Sequence, residues 1–229
     1  LSSLENRIKF NLQIPFDKAY VMSQMSDDFD PHLEIAQEGG LLKQHEVWFY
    51  KIVKEGFPRE KYPKDAELGK LLLKTEQEQK EFIKQISDIR GKGKSTNYAS
   101  QYGAGASTVA RTAGVELSVG KALVKAYKKV NWSIEKIAEE QVTKRVSHGT
   151  YQLNPFNGMW YHLKTEKDRF STLVQGTGSY VLDLWLAYQF NLRNNPEYGF
   201  DDYGVKLLAT IHDEQIVEYT EGQESAVEK

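Results

Sequence analysis

The hydrophobic period of this chain changes near residue 150, and that change limits the folds open to it. Before it the pattern is helical. A candidate helix over 41–55 carries Trp48, Phe49, Ile52 and Val53 at helical spacing, and a second over 65–88 is rich in Leu, Lys, Gln and Glu, all good helix formers. Gly105 and Gly114 bracket a short helix containing Val109 and Ala110. Ser118 and Ser133 are candidate N-caps for two more, the second leading into IEKIAEEQVTKR. Then Tyr151–Leu153 and Trp160–Leu163 flank the turn signal Asn154-Pro155-Phe156-Asn157-Gly158, which predicts a β-hairpin. A helix over 168–191 follows and is closed by Asn195-Pro196; the end alternates as two strands, 205–211 and 215–219. A mostly helical insertion between sheet-forming ends predicts an α+β fold.

With 229 residues and 40% apolar content, the chain is long enough to bury a core. It has no Cys, which removes disulfides, thiolate zinc sites and cysteine nucleophiles, and fits a reducing compartment. No apolar run approaches the about 18 residues of a membrane span. Net charge is −2, unlike the basic excess of most dedicated nucleic-acid binders. The charge is uneven, however. Segments 90–94 and 121–129 are basic, while Asp27, Asp28, Asp30, Asp201 and Asp202 are acidic. Segregation of this kind suits a protein that holds phosphates in one place and cations in another; ordinary solvated faces give the same pattern.

Two constellations have chemical potential. His212-Asp213-Glu214 joins the last two strands, with LLATI before it and Ile216 and Val217 after. Charged groups at the tip of a buried hairpin need solvent, a partner or a metal, and carboxylate oxygens suit Mg²⁺; a polar turn is the simpler alternative. The second is a helix face on which Arg90, Lys94, Tyr98 and Tyr102 recur every fourth residue. Each step drifts about 40° around a helix, so two cations and two rings share a face able to neutralise a triphosphate and stack on a base. A charged surface helix with two half-buried tyrosines fits the same spacing. Gly91 and Gly93 each cost on the order of 1 kcal/mol inside a helix. The GKGKS run lacks the phosphate-loop spacing and has no strand before it. Asp30-Pro31-His32 and Gln175-Gly176-Thr177 are weak signals singly, and the latter is equally a close-packing motif.

In this order the pieces resemble the family A (DNA polymerase I-like) DNA polymerases over nearly the whole chain. Leu1-Ser2-Ser3-Leu4-Glu5-Asn6-Arg7 is similar to that family's motif A, Asp-x-Ser-x-(Ile/Leu)-Glu-x-Arg, without its first residue. Arg90, Lys94, Tyr98, Tyr102 and Gly103 match motif B, and His212-Asp213-Glu214 matches motif C. Asp30-Pro31-His32 and Gln175-Gly176-Thr177 stand where the family has Asp-x-His and Gln-Gly-Thr. The resemblance implies a polymerase palm, an antiparallel sheet with helices over 1–26 and 148–229, and largely helical fingers over 27–147. It implies template-directed transfer of a deoxynucleotide to a primer 3′-OH with two Mg²⁺ ions, on a DNA primer–template with dNTP as substrate, in a bacterial or phage-infected cytoplasm.

By the same resemblance Asp213 ligates the metal, Glu214 supports it, and Lys94 neutralises charge in the transition state. Arg90, Lys94 and His32 hold the triphosphate, Tyr98 stacks on the nucleotide, Tyr102 lines the base-pair pocket, and Glu5 excludes a ribose 2′-OH. Arg7, Gln175 and His212 contact DNA. Three departures matter. The motif A aspartate falls immediately before Leu1, so the expectation is a segment with thumb and any exonuclease domain upstream, inactive on its own. The chain also ends early in the helix expected after motif C, and Ser171 stands where the family often has Asn. A non-catalytic half of a split polymerase and a single-subunit RNA polymerase are the alternatives; Glu5 and Glu214 favour DNA synthesis over the latter.

Overall fold

The structure is a computed structural model that describes residues 4–195, 197, 204–211 and 214–224, without the side chains of Arg193 and Glu214. The described residues form a mixed α+β fold, with helices and two small antiparallel sheets. Among them no helix is long and apolar enough to cross a membrane.

The N-terminal end is helical rather than sheet-forming. Helix α1 spans Leu4–Gln24 and is broken at Asp17 (φ −144°, ψ 64°). Pro15 lacks the N–H that an uninterrupted helix needs, and Asp17 restarts it by accepting from the Tyr20 N–H at 3.1 Å. Helix α2 (Pro31–Glu38) begins on an Asp-Pro signal: the Asp30 carboxylate accepts from the His32 and Leu33 N–H groups, and proline occupies the first turn. After α3 (Gln44–Val53), the single helix expected over 65–88 is in fact two, α4 (Ala66–Leu72) and α5 (Glu76–Gln101). Thr75 and Glu78 form a capping box that starts α5 afresh, so composition alone overran a local stop.

Helix α6 (Ala106–Ala113) ends at Gly114, whose left-handed φ of 62° closes it. Helices α7 (Leu117–Val130) and α8 (Trp132–Glu139) start after Glu116 and Asn131, not at Ser118 and Ser133. Ser133 is instead buried, accepting from the Gln13 amide at 2.9 Å. The helical run from Ile134 stops at Glu139, and Thr143–Val146 becomes β1, paired with β2 (Gly149–Leu153), which pairs with β3 (Trp160–Leu163). Cross-strand pairing overrides the propensity of that segment. Helix α9 (Arg169–Arg193) backs this sheet. Strands β4 (Lys206–Ile211) and β5 (Glu214–Glu218) form a separate ribbon, and it is not the buried hairpin expected: Leu208 is 61% exposed and Ile211 50%.

Two apolar clusters meet across α2. Leu33 and Ala36 face Phe49, Leu68 and Ile86 on one side. Ile35 faces Val109, Leu123, Ile134, Phe170 and Leu173 on the other. Against the second cluster lies a buried charge, Lys9, which is 5% exposed with Nζ 5.8 Å from the centroid of the Tyr127 ring. Glu34, whose charge acts on Lys9, accepts from the Tyr20 hydroxyl at 2.7 Å. Burial lowers the Lys9 pKa to about 8 against the attraction of Glu34. The unfolded chain therefore binds more protons between about pH 8 and the ordinary lysine value of about 10.4, and stability rises with pH through that window. Lys9→Met is expected to stabilise the fold by roughly 2–3 kcal/mol near pH 7, allowing for Glu34 losing its cation, with the gain shrinking as Lys9 of the parent neutralises. Urea unfolding of both proteins near pH 7 and near pH 10.5 measures it; a gain that does not change with pH contradicts the buried-charge account.

Candidate functional site

Helix α5 continues without interruption through the expected cation–tyrosine face. Its inner side buries Ile86, Gly93, Thr96, Asn97 and Gln101. That leaves Lys94, Tyr98 and Tyr102 exposed, with Arg90 at the border between the two sides.

Arg90 is held at that border by Asp30, whose Oδ2 accepts from Nε at 2.6 Å while Oδ1 caps α2. Burial pushes the Asp30 carboxyl up, but the Arg90 guanidinium and the two backbone N–H groups outweigh it and hold its pKa below the usual carboxylate range. One edge of the guanidinium is occupied and the rest stays available. Charge here is thus interlocked rather than segregated: Asp30 pairs with Arg90, and Asp28 with Lys61 at 3.4 Å.

His32, one residue past the Pro31 that opens α2, brings its ring to 6.0 Å from that of Tyr98. Burial lowers its pKa, and Arg90, Lys94 and Lys9 add to that against the pull of Asp30. The closeness of α2 and α5 depends on Gly93. A Cβ there would lie 2.1 Å from the His32 carbonyl oxygen. Gly91 has open space around it, so of the two helix-interior glycines only Gly93 has a packing reason.

At the far end of α5, the Tyr102 hydroxyl donates to Glu5 Oε2 at 2.6 Å across 97 positions of sequence. Burial, then the Glu5 carboxylate, raise the Tyr102 pKa to about 12, while the Gln175 amide beside it acts in the opposite direction. Gly103 (φ 73°) then turns the chain against the Lys167 carbonyl. In Gln175-Gly176-Thr177 the roles divide. Gly176 makes room for the Tyr161 ring, which a Cβ would approach to 2.9 Å, and the Thr177 hydroxyl donates to the Leu173 carbonyl. Only Gln175 faces outward.

One surface therefore gathers Glu5, His32, Arg90, Lys94, Tyr98, Tyr102 and Gln175 from α1, α2, α5 and α9. Arg7 is exposed on α1, two residues from Glu5 and so turned away from it around the helix. His212 and Asp213 lie outside the described residues, as does the side chain of Glu214. Among the described residues no three His, Asp or Glu side chains converge as a metal site. Asp30 stands beside His32 in sequence and its helix-capping signal is local and legible there, but its ionic bond to Arg90, 60 positions away, is not.

No protein-family model matches the chain, and no curated protein matches it either.

Proposed function

We propose that this chain is the palm-and-fingers portion of a DNA-directed DNA polymerase, the part that binds and selects the incoming deoxynucleotide. The convergence of seven expected nucleotide- and template-binding residues, drawn from four helices, on one partly exposed surface is the observation that carries the reading. Lys94 and the unpaired edge of Arg90 form a clamp for a triphosphate, as point charge and fork. Tyr98 offers an exposed ring one helical turn further on. Glu5, fixed by Tyr102, presents a carboxylate that a 2′-hydroxyl would crowd. Asp213 would hold Mg²⁺, whose charge would neutralise the phosphates and lower the pKa of a primer 3′-OH.

The direct test is calorimetric titration of a dNTP with Mg²⁺ into the chain, then the same with a ribonucleotide, with primer–template present. Saturable dNTP binding with a dissociation constant within about 1 μM–1 mM is expected, in the usual range for enzyme substrates. Glu5→Ala should narrow the gap between deoxy- and ribonucleotide. Absence of saturable dNTP binding would sink the proposal, and a preference for ribonucleotides would point to RNA synthesis instead.

A further inference from the structure

Among the described residues, the sheet of β1, β2 and β3 has one face engaged and one open. Gln152 and Tyr161, directly opposite each other, turn toward α9: the Gln152 amide donates to the Arg169 carbonyl at 3.0 Å and the Tyr161 hydroxyl to the Gly176 carbonyl at 3.3 Å. The alternate residues point the other way. Lys144 is opposite Tyr151, Tyr151 opposite His162, and Leu153 opposite Trp160, with His148 from the β1–β2 turn alongside.

The rings on this open face are ordered but not stacked flat on one another. His148 meets Tyr151 edge to face at 5.6 Å between centroids, and Tyr151 meets His162 in the same way at 5.4 Å. Lys144 Nζ sits 4.5 Å from the centroid of the Trp160 ring, and that ring is still 38% exposed. Gly149 leaves the space His162 occupies; a Cβ there would lie 2.8 Å from Nε2. Aromatic residues on an outward sheet face often do no more than stabilise strand pairing. The charge distribution goes further. Segment 142–165 contains not one Asp or Glu, in a chain with 32 acidic residues, and of its basic residues Lys144, His148 and His162 lie on the open face.

We infer that this open face binds single-stranded nucleic acid, with bases stacking on Trp160 and the half-buried Tyr151 and phosphates on Lys144. The exposed Trp160 ring accepts any base by its π-face, and the neighbouring Lys144 follows the backbone. A duplex hides its base faces, so it cannot use the rings. An anionic strand meets no carboxylate within the segment. The inference does not depend on the polymerase reading; if both hold, the strand is the unpaired template.

The test is fluorescence anisotropy of a labelled oligo-dT of about 20 nucleotides with the intact chain at low salt, beside a duplex of equal length. Trp160→Ala and Tyr151→Ala are each expected to weaken oligo-dT binding about tenfold, and Lys144→Gln to weaken it and flatten its salt dependence. Trp160→Phe, which keeps a ring and the strand pairing, should retain most of the affinity but lose the tryptophan quench that the oligonucleotide causes. Duplex binding should be weaker and indifferent to Trp160. Lys94→Ala should leave oligo-dT affinity unchanged, which separates this surface from the nucleotide site. Oligo-dT affinity that ignores Trp160→Ala and Lys144→Gln overturns the inference, and so does a duplex bound as tightly and with the same dependence on Trp160.

Discussion

In the proposed polymerase, Lys94→Ala is expected to lower single-turnover nucleotide incorporation by 30- to 1,000-fold, about 2–4 kcal/mol of transition-state stabilisation. Lys94 is exposed on α5, one turn from Arg90, and is close enough to His32 to depress its pKa. A triphosphate lying along that face meets both cations. Arg90→Ala is expected to cost a similar amount, for a partly different reason: it also leaves the buried Asp30 carboxylate without its ionic partner. Thermal stability should therefore fall in Arg90→Ala and hold in Lys94→Ala. The double variant should lose less than the two single losses combined, since in the proposed clamp both cations would serve one ligand. Primer–template affinity should change little in any of them. If Lys94→Ala reduced DNA affinity and left the incorporation step intact, α5 would be a duplex-contacting face and the clamp would be wrong.

Gly93→Ala is expected to destabilise the fold by about 3–5 kcal/mol, although alanine is the better helix former by about 1 kcal/mol. The added methyl would lie 2.1 Å from the His32 carbonyl oxygen and 3.4 Å from Ala36 Cβ, so α2 and α5 must separate. The obstacle is backbone, with no flexible side chain to swing away. Separation moves His32 away from Tyr98 and strains the Asp30–Arg90 bond, so nucleotide affinity should fall with stability. Gly91→Ala is the internal control. It meets nothing within 4 Å and should stabilise α5 by about 0.5–1 kcal/mol. Urea unfolding of the two variants beside the parent measures both; equal effects would mean the helices do not approach as closely as described.

Much of the secondary structure was legible because its signals act over a few residues. The turn Asn154–Gly158 sets the hairpin of β2 and β3, Gly105 and Gly114 bound α6, and four-residue spacing puts Arg90, Lys94, Tyr98 and Tyr102 on one side of α5. The capping box at Thr75 was legible too, but it was outweighed by the helix-forming composition around it. Where reading by composition failed, a partner distant in sequence had decided. Residues 143–145 leave a helical run because β2 is there to pair with them, and Ser133 gives up a cap to accept from Gln13, 120 positions away.

The candidate site divides in the same way. Residue types and order, from Glu5 to Gln175, were in the sequence, because spacing along one helix is a covalent property. That Glu5 meets Tyr102, that Asp30 anchors Arg90, and that Gly93 admits the His32 carbonyl are contacts across 97, 60 and 61 positions. Local propensity does not specify contacts of that range. They follow from how α1, α2 and α5 pack around two shared apolar clusters, and only the tertiary structure fixes that packing.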